Sequence, residues 1–247
     1  MATFSPSLDR ALAVSAIVHR SQYRKGTLVP YVIHPFQVAM ILERHGFDGR
    51  LVEAAVLHDV LEDMRPEDPD LQHSLRRTFP EAMGDAPEGP AGFKARFIEF
   101  LVSEFGAEVV SLVEAVSERK MSVDGRPIPW AERKETALEE LARPDLPSDV
   151  LALKGADATH NVLSLERDLK LHGLHTLDRF RGAPAASLRY YGRVAGLVAR
   201  RLGSRHLLAV ELGDAVRALA HALLAAYGAS HDTILDAVRE VTTGAGE

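Results

Sequence analysis

Apolar residues recur along most of the chain at the three- and four-residue spacing of α-helices. In residues 8–22, for example, Leu8, Leu12 and Ala16 lie on one broad apolar stripe. No segment alternates apolar and polar residues strongly enough to predict a strand. We therefore predict an all-α protein, with helices over residues 8–22, 34–46, 48–63, 92–105, 107–118, 130–142, 147–169, 184–202, 206–228 and 231–242.

Several residues mark the expected ends of these helices. Pro35 and Pro147 suit the first turn of a helix, where a missing N–H costs nothing. Gly46 suits the position just past a helix C-terminus, and Asp48 is a candidate N-cap for the helix that follows. Gly106 separates two of the predicted helices.

The segment 64–91 breaks the helical pattern because it contains five prolines and many charged residues. It is predicted to hold one short helix near residues 70–78 and otherwise to be loop. Long loops in compact domains often act as lids or binding segments, and a solvated insertion is the alternative.

Composition narrows the function. The chain has 247 residues, which is enough for one large or two small domains, and its 46% apolar residues can form a hydrophobic core. Its net charge of −6 gives no basic field that would attract nucleic acid or anionic lipid. The absence of cysteine excludes disulfides, thiolate ligands and a cysteine nucleophile, and it fits a cytoplasmic protein. Neither a signal peptide nor a membrane span is predicted.

Four groups that prefer water or a metal interrupt the apolar stretch AAVLHDVLED, residues 54–63. On one continuous helix, residues four apart share a face, so His58 would stack with Glu62 and Asp59 with Asp63. A helix end that projects into solvent is the ordinary explanation of such a set. The flanking valines and leucines favour burial, and buried charged groups need partners or a metal. The stretch is therefore a candidate metal centre.

Two other segments supply similar chemistry. His34 lies at the entry of a predicted helix, where a capping or packing role is the alternative to metal binding. Asp157 lies inside an apolar helix, a position that helix propensity does not favour. Asn161 and Ser164 follow it at successive turns of the same face, and the alternative there is a buried hydrogen-bond network.

Taken in order, His34, His58-Asp59 and Asp157 resemble the H…HD…D pattern of the HD phosphohydrolase superfamily. The flanking sequences are more specific, and they resemble the hydrolase domain of RelA/SpoT-type alarmone enzymes. The resemblance spans roughly residues 8–63 and 104–202, and its segments are HRSQYRKGTLVPYVIHPFQVAMIL, AAVLHDVLED, FGAEVVSLVEAVSERK and LKGADATHNVLSL.

This resemblance implies an HD-domain helical bundle. We expect a single HD-type hydrolase domain over residues 1–247, with a long loop-rich insertion at about 64–103 and C-terminal helices at about 203–242. Because the chain leaves no room for the synthetase domain of the long RelA/SpoT enzymes, we expect a small stand-alone alarmone hydrolase. The insertion could cover the site, contact a partner or change substrate choice.

The resemblance also implies site residues and a metal. Two imidazoles and two carboxylates suit Mn²⁺ best but leave Fe²⁺, Co²⁺ and Zn²⁺ open, and the resemblance implies one Mn²⁺ ion. The implied metal ligands are His34, His58, Asp59 and Asp157. The implied catalytic pair is Glu62 and Asp63, whose roles the sequence does not divide. The implied substrate-binding residues are Arg24, Lys25, Asn161, Ser164 and Tyr190, with Tyr191 as the alternative to Tyr190. Lys154, one turn before Asp157, is a further candidate that could bind a phosphate or counter the Asp157 charge.

The expected reaction is hydrolysis of the 3′-pyrophosphate of guanosine tetra- or pentaphosphate, giving GDP or GTP and pyrophosphate. The expected partner is thus a small nucleotide, with no nucleic acid and no membrane. One alternative keeps the site but acts on another 3′-phosphorylated nucleotide, such as an adenosine alarmone or NADPH. A second alternative is a non-catalytic nucleotide-binding protein, although a pure binder would not need both Glu62 and Asp63.

Overall fold

The computed structural model describes residues 5–87, 89–122, 124–179, 184–228 and 231–243. Within these ranges the chain forms helices and no strand, and the only β-type pairings are isolated bridges at Tyr23–Pro30 and Met121–Pro127. The all-α prediction is therefore confirmed. No helix in the described ranges combines the length and apolar character needed to cross a bilayer.

The chain forms two compact units, Met1–Ser117 and Glu118–Glu247. The expected single-domain organisation stays a prediction. The described helices of the first unit are α1 Pro6–Val18, α2 Ile33–Arg44, α3 Gly49–Leu57, α4 Val60–Asp63, α5 Pro69–Thr78, α6 Pro80–Met83, α7 Pro90–Phe105 and α8 Ala107–Val116. Those of the second are α9 Trp130–Leu141, α10 Ser148–His172, α11 Pro184–Leu202, α12 Leu207–Tyr227 and α13 Asp232–Thr243, with a 3₁₀ helix at Gly173–Arg179.

Helix α3 is the central element of the first unit, and it packs against α1, α2 and α8. Its apolar run is buried from Ala54 to Leu57. Asp48 caps its start, because the carboxylate accepts a hydrogen bond from the Leu51 amide at 3.1 Å. This confirms the predicted N-cap, and such caps stabilise a protein by about 1 kcal/mol.

The predicted continuous helix over residues 48–63 is wrong, because it breaks at His58 and Asp59. The His58 ring explains the break in part. Its Nδ1 lies 2.7 Å from the carbonyl oxygen of Ala55, the acceptor that a continuous helix would offer to the Asp59 amide. The helix then resumes at Val60, which is fully buried and holds α4 in place. The expected stacking of His58 on Glu62 and of Asp59 on Asp63 assumed a continuous helix, which the structure does not have.

The predicted short helix near 70–78 is confirmed as α5, but the prediction that the rest of 64–91 is loop is wrong for α6 and for the start of α7. Three of the prolines read as loop signals instead begin helices, at Pro69, Pro80 and Pro90. The segment is packed, since Leu75 and Met83 are fully buried. Its helices contact α1 and α7.

In the second unit, the 25-residue α10 packs against α11 and α12. Gly155 permits the close approach of α10 to α11, because a Cβ atom there would lie 3.1 Å from Cγ2 of Val198. Gly155 lies two residues before Asp157 in α10, so this packing positions the part of the helix that carries the predicted site residues.

Candidate metal centre

Three of the four predicted metal ligands converge in the first unit. One ligating atom from each of His34, His58 and Asp59 lies within 4.8 Å of the others. The Asp59 Oδ2 atom is 3.1 Å from Nε2 of His58 and 3.8 Å from Nε2 of His34. The two imidazole rings meet edge to face, with centroids 5.2 Å apart. The side chains of His34 and His58 are both buried, so their ring nitrogens lie in the interior of the first unit.

The helix break orients His58. Its Nδ1–H donates to the Ala55 carbonyl oxygen at 2.7 Å, which leaves Nε2 facing Asp59. A histidine that ligates a metal commonly uses one ring nitrogen while the other donates to a carbonyl, because that bond fixes the tautomer. Two buried imidazole nitrogens and a carboxylate oxygen at this spacing are a fitting donor set for a divalent cation.

Tyr31 belongs to the same cluster, and the sequence analysis missed it. Its hydroxyl donates to Oδ2 of Asp59 at 2.7 Å. Its ring also packs edge-on against His34, with centroids 5.6 Å apart. A tyrosine three residues before His34 was a weak signal, because tyrosines beside a helix start are usually packing residues.

His19 is a second residue that the sequence analysis missed. It is 1% exposed, its ring lies 4.9 Å from that of Tyr31, and its Nδ1 lies 2.7 Å from Oε1 of Gln22. Burial lowers the pKa of His19, against the opposing effects of the Gln22 hydrogen bond and the charges of Asp59 and Asp63. A neutral His19 therefore adds a third imidazole to this polar cluster. Its signal in the sequence was a histidine directly after the last apolar residue of α1.

The predicted catalytic pair lies on the short helix α4. Glu62 and Asp63 are both half-buried, and the side-chain amide of Gln22 donates to the backbone carbonyl of Asp63 at 3.3 Å. Asp63 also lies close enough to His19 to act on its charge. The pair therefore follows the predicted metal ligands His58 and Asp59 within the same unit, and its catalytic role stays a prediction.

Arg24 and Lys25 lie in the turn that leads into α2. The Arg24 guanidinium lies over the Tyr31 ring, 5.9 Å from its centroid, and Lys25 is exposed beside it. The turn closes through the Thr27 amide, which donates to the Arg24 carbonyl at 2.9 Å, and Gly26 supplies the positive φ of 72°. Tyr31 therefore contacts Arg24 through its ring and Asp59 through its hydroxyl.

The fourth predicted ligand, Asp157, lies in the second unit. Its Oδ1 accepts from the Asn161 side-chain amide at 2.6 Å, and its Oδ2 lies 3.0 Å from the Lys154 ammonium. Burial lowers the pKa of Lys154, but Asp157 first, and then Tyr190 and Glu118, outweigh that effect, so the pKa is raised well above its usual value. Two of the predicted substrate-binding residues therefore hold Asp157.

Two further residues of the second unit were missed. Glu118 bonds to Lys134, and the Lys134 ammonium lies 4.8 Å from the centroid of the Tyr190 ring. Burial and the charge of Lys154 lower the pKa of Lys134. Lys134 and Lys154 are distant from Glu118 in the sequence, so no local spacing of residues predicts that these three side chains meet.

Tyr190 and Ser164 are both buried in the second unit. Burial raises the pKa of Tyr190 to about 12, although the nearby Lys154 charge opposes this shift. The Tyr190 ring packs edge-on against Trp130, with centroids 6.4 Å apart. The Ser164 hydroxyl lies 3.4 Å from Nε2 of His160. Substrate binding by Tyr190 and Ser164 stays a prediction.

The comparison with protein families settles the class of the chain. Residues 11–178 match the HD domain, a stretch that includes His34, His58, Asp59 and Asp157. The chain belongs to the HD-domain family. The HD match extends through both compact units along the sequence.

Some curated relatives of this HD-domain protein carry the name guanosine-3′,5′-bis(diphosphate) 3′-pyrophosphohydrolase, and others carry the name GTP pyrophosphokinase. The chain is 27% identical to the Haemophilus influenzae enzyme over 193 residues, which is 76% of this chain and 21% of the relative. It is 45% identical to the Aquifex aeolicus enzyme over 56 residues, which is 23% of this chain and 8% of the relative. The HD-domain chain thus spans about a fifth or less of the length of these curated relatives.

Two solved structures share the fold. One is a metazoan ortholog of SpoT that hydrolyses ppGpp, with a TM-score of 0.56, 23% identity and coverage of 88% of this chain and 97% of that one. The other is a Listeria monocytogenes protein, with a TM-score of 0.50, 24% identity and coverage of 74% of this chain and 96% of that one. At these identities the likeness supports the helical HD fold.

Proposed function

We propose that this HD-domain protein hydrolyses the 3′-pyrophosphate of guanosine tetra- or pentaphosphate, giving GDP or GTP and pyrophosphate. The observation that carries the proposal is the convergence of His34, His58 and Asp59, with their ligating atoms within 4.8 Å. The names of the curated relatives supply the reaction and the substrate.

The cofactor in this proposal is one Mn²⁺ ion. His34, His58 and Asp59 would hold it in the first unit, and the order of the motifs along the sequence supports Asp157 as the fourth ligand. A mixed imidazole and carboxylate set without thiolate suits a divalent metal of the first transition row, and the resemblance of the motifs to alarmone hydrolases favours Mn²⁺ among these metals. When bound, such an ion polarises a phosphate oxygen and lowers the pKa of water at the site.

Glu62 and Asp63 perform the proton transfers in this proposal. Glu62 orients the attacking water and accepts its proton as the water oxygen bonds to the phosphorus next to the 3′-oxygen. The bond between that phosphorus and the 3′-oxygen breaks, and Asp63 assists the transfer of a proton to the leaving oxygen. Their half-burial on α4, directly after His58 and Asp59, supports these roles.

The nucleotide contacts follow from the charged and aromatic groups. Arg24, held over the Tyr31 ring, presents a guanidinium plane on which a purine base can stack, and Lys25 lies exposed beside it. Asn161 and Ser164 bind the nucleoside sugar and the nearby phosphate in this proposal, and Tyr190 is a further substrate contact. For Lys154, the 3.0 Å contact with Asp157 favours a countercharge role over a direct phosphate contact.

The test is a product assay with guanosine tetraphosphate, its adenosine counterpart and NADPH, each with a panel of divalent metals. We expect pyrophosphate and GDP from the guanosine substrate with Mn²⁺, and loss of turnover in Asp59→Ala and Glu62→Ala. Asp70→Ala and Glu67→Ala are matched controls, because both side chains are exposed in the same unit. Absence of turnover on every 3′-phosphorylated nucleotide would refute the proposal. Faster turnover of an adenosine nucleotide would show that the substrate is an adenosine compound and not guanosine tetraphosphate.

A further inference from the structure

Five charged side chains of alternating sign cluster in the second unit beside α10. The two carboxylates are Glu118 and Asp157, and the three cations are Arg133, Lys134 and Lys154. All five side chains are largely buried, with Lys134 the most exposed at 20%. Buried charges persist only when they are paired, so this cluster is held together by its own interactions.

Glu118 is the shared partner of the three cations. Its Oε2 accepts from Nη1 of Arg133 at 2.8 Å, and its Oε1 bonds to the Lys134 ammonium. The same Oε1 atom lies 4.0 Å from Nζ of Lys154, which in turn lies 3.0 Å from Oδ2 of Asp157. The Lys154 ammonium is therefore shared between two carboxylates.

We propose that Glu118 is a positioning residue that acts on Asp157 through Lys154. By attracting the Lys154 ammonium, Glu118 weakens its hold on Oδ2 of Asp157 and keeps that oxygen available to a divalent cation. The inference rests on the proposed function, in which Asp157 is a metal ligand. Glu118 itself touches neither the metal nor the substrate.

Charge and competition both support this role. Without the Glu118 carboxylate, the surroundings of Asp157 lose one negative charge and become more positive, since Lys154 lies 3.0 Å from Oδ2 of Asp157. Lys154 would also pair more fully with Asp157 and compete with the metal for the same oxygen. Both effects lower metal affinity, and the loss of a residue that orients a ligand typically costs about 10- to 100-fold in affinity.

The test is a double-mutant cycle on Mn²⁺ affinity, measured by titration calorimetry on the full chain. We expect Glu118→Gln to weaken Mn²⁺ binding by about tenfold or more. Lys154→Gln should bind Mn²⁺ at least as tightly as the wild type, because it removes the competing cation. The double variant should recover most of the loss, since Glu118 acts through Lys154. Glu132→Gln is the matched control, because Glu132 is exposed in the first turn of α9.

The outcomes separate this inference from the proposed function. Wild-type turnover of guanosine tetraphosphate is measured in parallel, and its absence would overturn the proposed function. If the wild type turns over but folded Glu118→Gln binds Mn²⁺ within twofold of it, the role of Glu118 is wrong. A fully additive double variant would likewise overturn action through Lys154. A rise in KM in Lys154→Gln with weaker Mn²⁺ binding would assign Lys154 to substrate phosphate instead.

Discussion

The Tyr31 hydroxyl provides a sharp test of the metal centre, because Tyr31→Phe removes one oxygen atom and leaves the ring in place. The hydroxyl donates to Oδ2 of Asp59 at 2.7 Å, and the ring carries the contacts with Arg24 and His19. The variant should therefore remove the hydrogen bond to the carboxylate while keeping the ring surface that faces Arg24.

The size of the effect follows from which partners Asp59 keeps. Nε2 of His58 lies 3.1 Å from Oδ2 of Asp59, and the Tyr31 hydroxyl lies 2.7 Å from the same oxygen. With a cation held by His34, His58 and Asp59, the histidine nitrogens would serve the metal, and the Tyr31 hydroxyl would remain as a donor to the carboxylate. A hydrogen bond to a charged group contributes about 1.5–3 kcal/mol. At about 1.4 kcal/mol per tenfold change, Mn²⁺ affinity should fall about 10- to 100-fold.

Titration calorimetry with Mn²⁺ measures this loss, and thermal unfolding checks that the variant is folded. Tyr23→Phe is the matched control, because Tyr23 is 57% exposed and undergoes the same chemical change. Mn²⁺ affinity in Tyr31→Phe within twofold of the wild type would refute the reasoning that the hydroxyl orients Asp59.

Three further predictions concern the packed segment, the base contact and the metal. Leu75→Ala should lower the free energy of unfolding by about 2–5 kcal/mol in denaturant titrations, because Leu75 is fully buried. Leu171→Ala is the control, because Leu171 is exposed. An equal loss in both variants would show that the packing of α5 contributes little to stability. Arg24→Ala should raise KM for guanosine tetraphosphate by about fivefold, corresponding to a stacking contribution of about 1 kcal/mol, with kcat nearly unchanged. A fall in kcat alone would contradict a base contact. Removal of metal by a chelator should abolish turnover and lower the unfolding temperature relative to protein with Mn²⁺ at about 100 times its Kd, where binding adds about 2.7 kcal/mol; an unchanged unfolding temperature would count against a metal site.

The sequence was sufficient for the fold class and for the central residues of the first unit. Periodicity predicts the helices because most of them bury one apolar stripe. The polar residues His58 and Asp59 were conspicuous because they interrupt such a stripe, and they do lie beside His34.

Other features depended on tertiary contacts that periodicity does not contain. The helix break at His58 arises from a side chain bonding to the Ala55 carbonyl, which an apolar repeat does not encode. The prolines of residues 64–91 signalled loops, yet three of them begin helices whose apolar faces are buried. Glu118 and Lys154 are 36 positions apart in the sequence, so only the folded chain shows their proximity.

Tyr31 has a consequence for how two ligands would influence each other. Its hydroxyl meets Asp59 in the metal cluster, while its ring face meets Arg24, the proposed contact of the base. In the proposed function, a bound ion that holds Asp59 would also hold the hydroxyl and the ring of Tyr31, and would so place the Arg24 guanidinium for the nucleotide. Thermodynamic reciprocity then requires that the bound nucleotide raise the affinity for the ion by the same factor by which the bound ion raises the affinity for the nucleotide. One aromatic side chain would thus make cofactor retention depend on substrate supply.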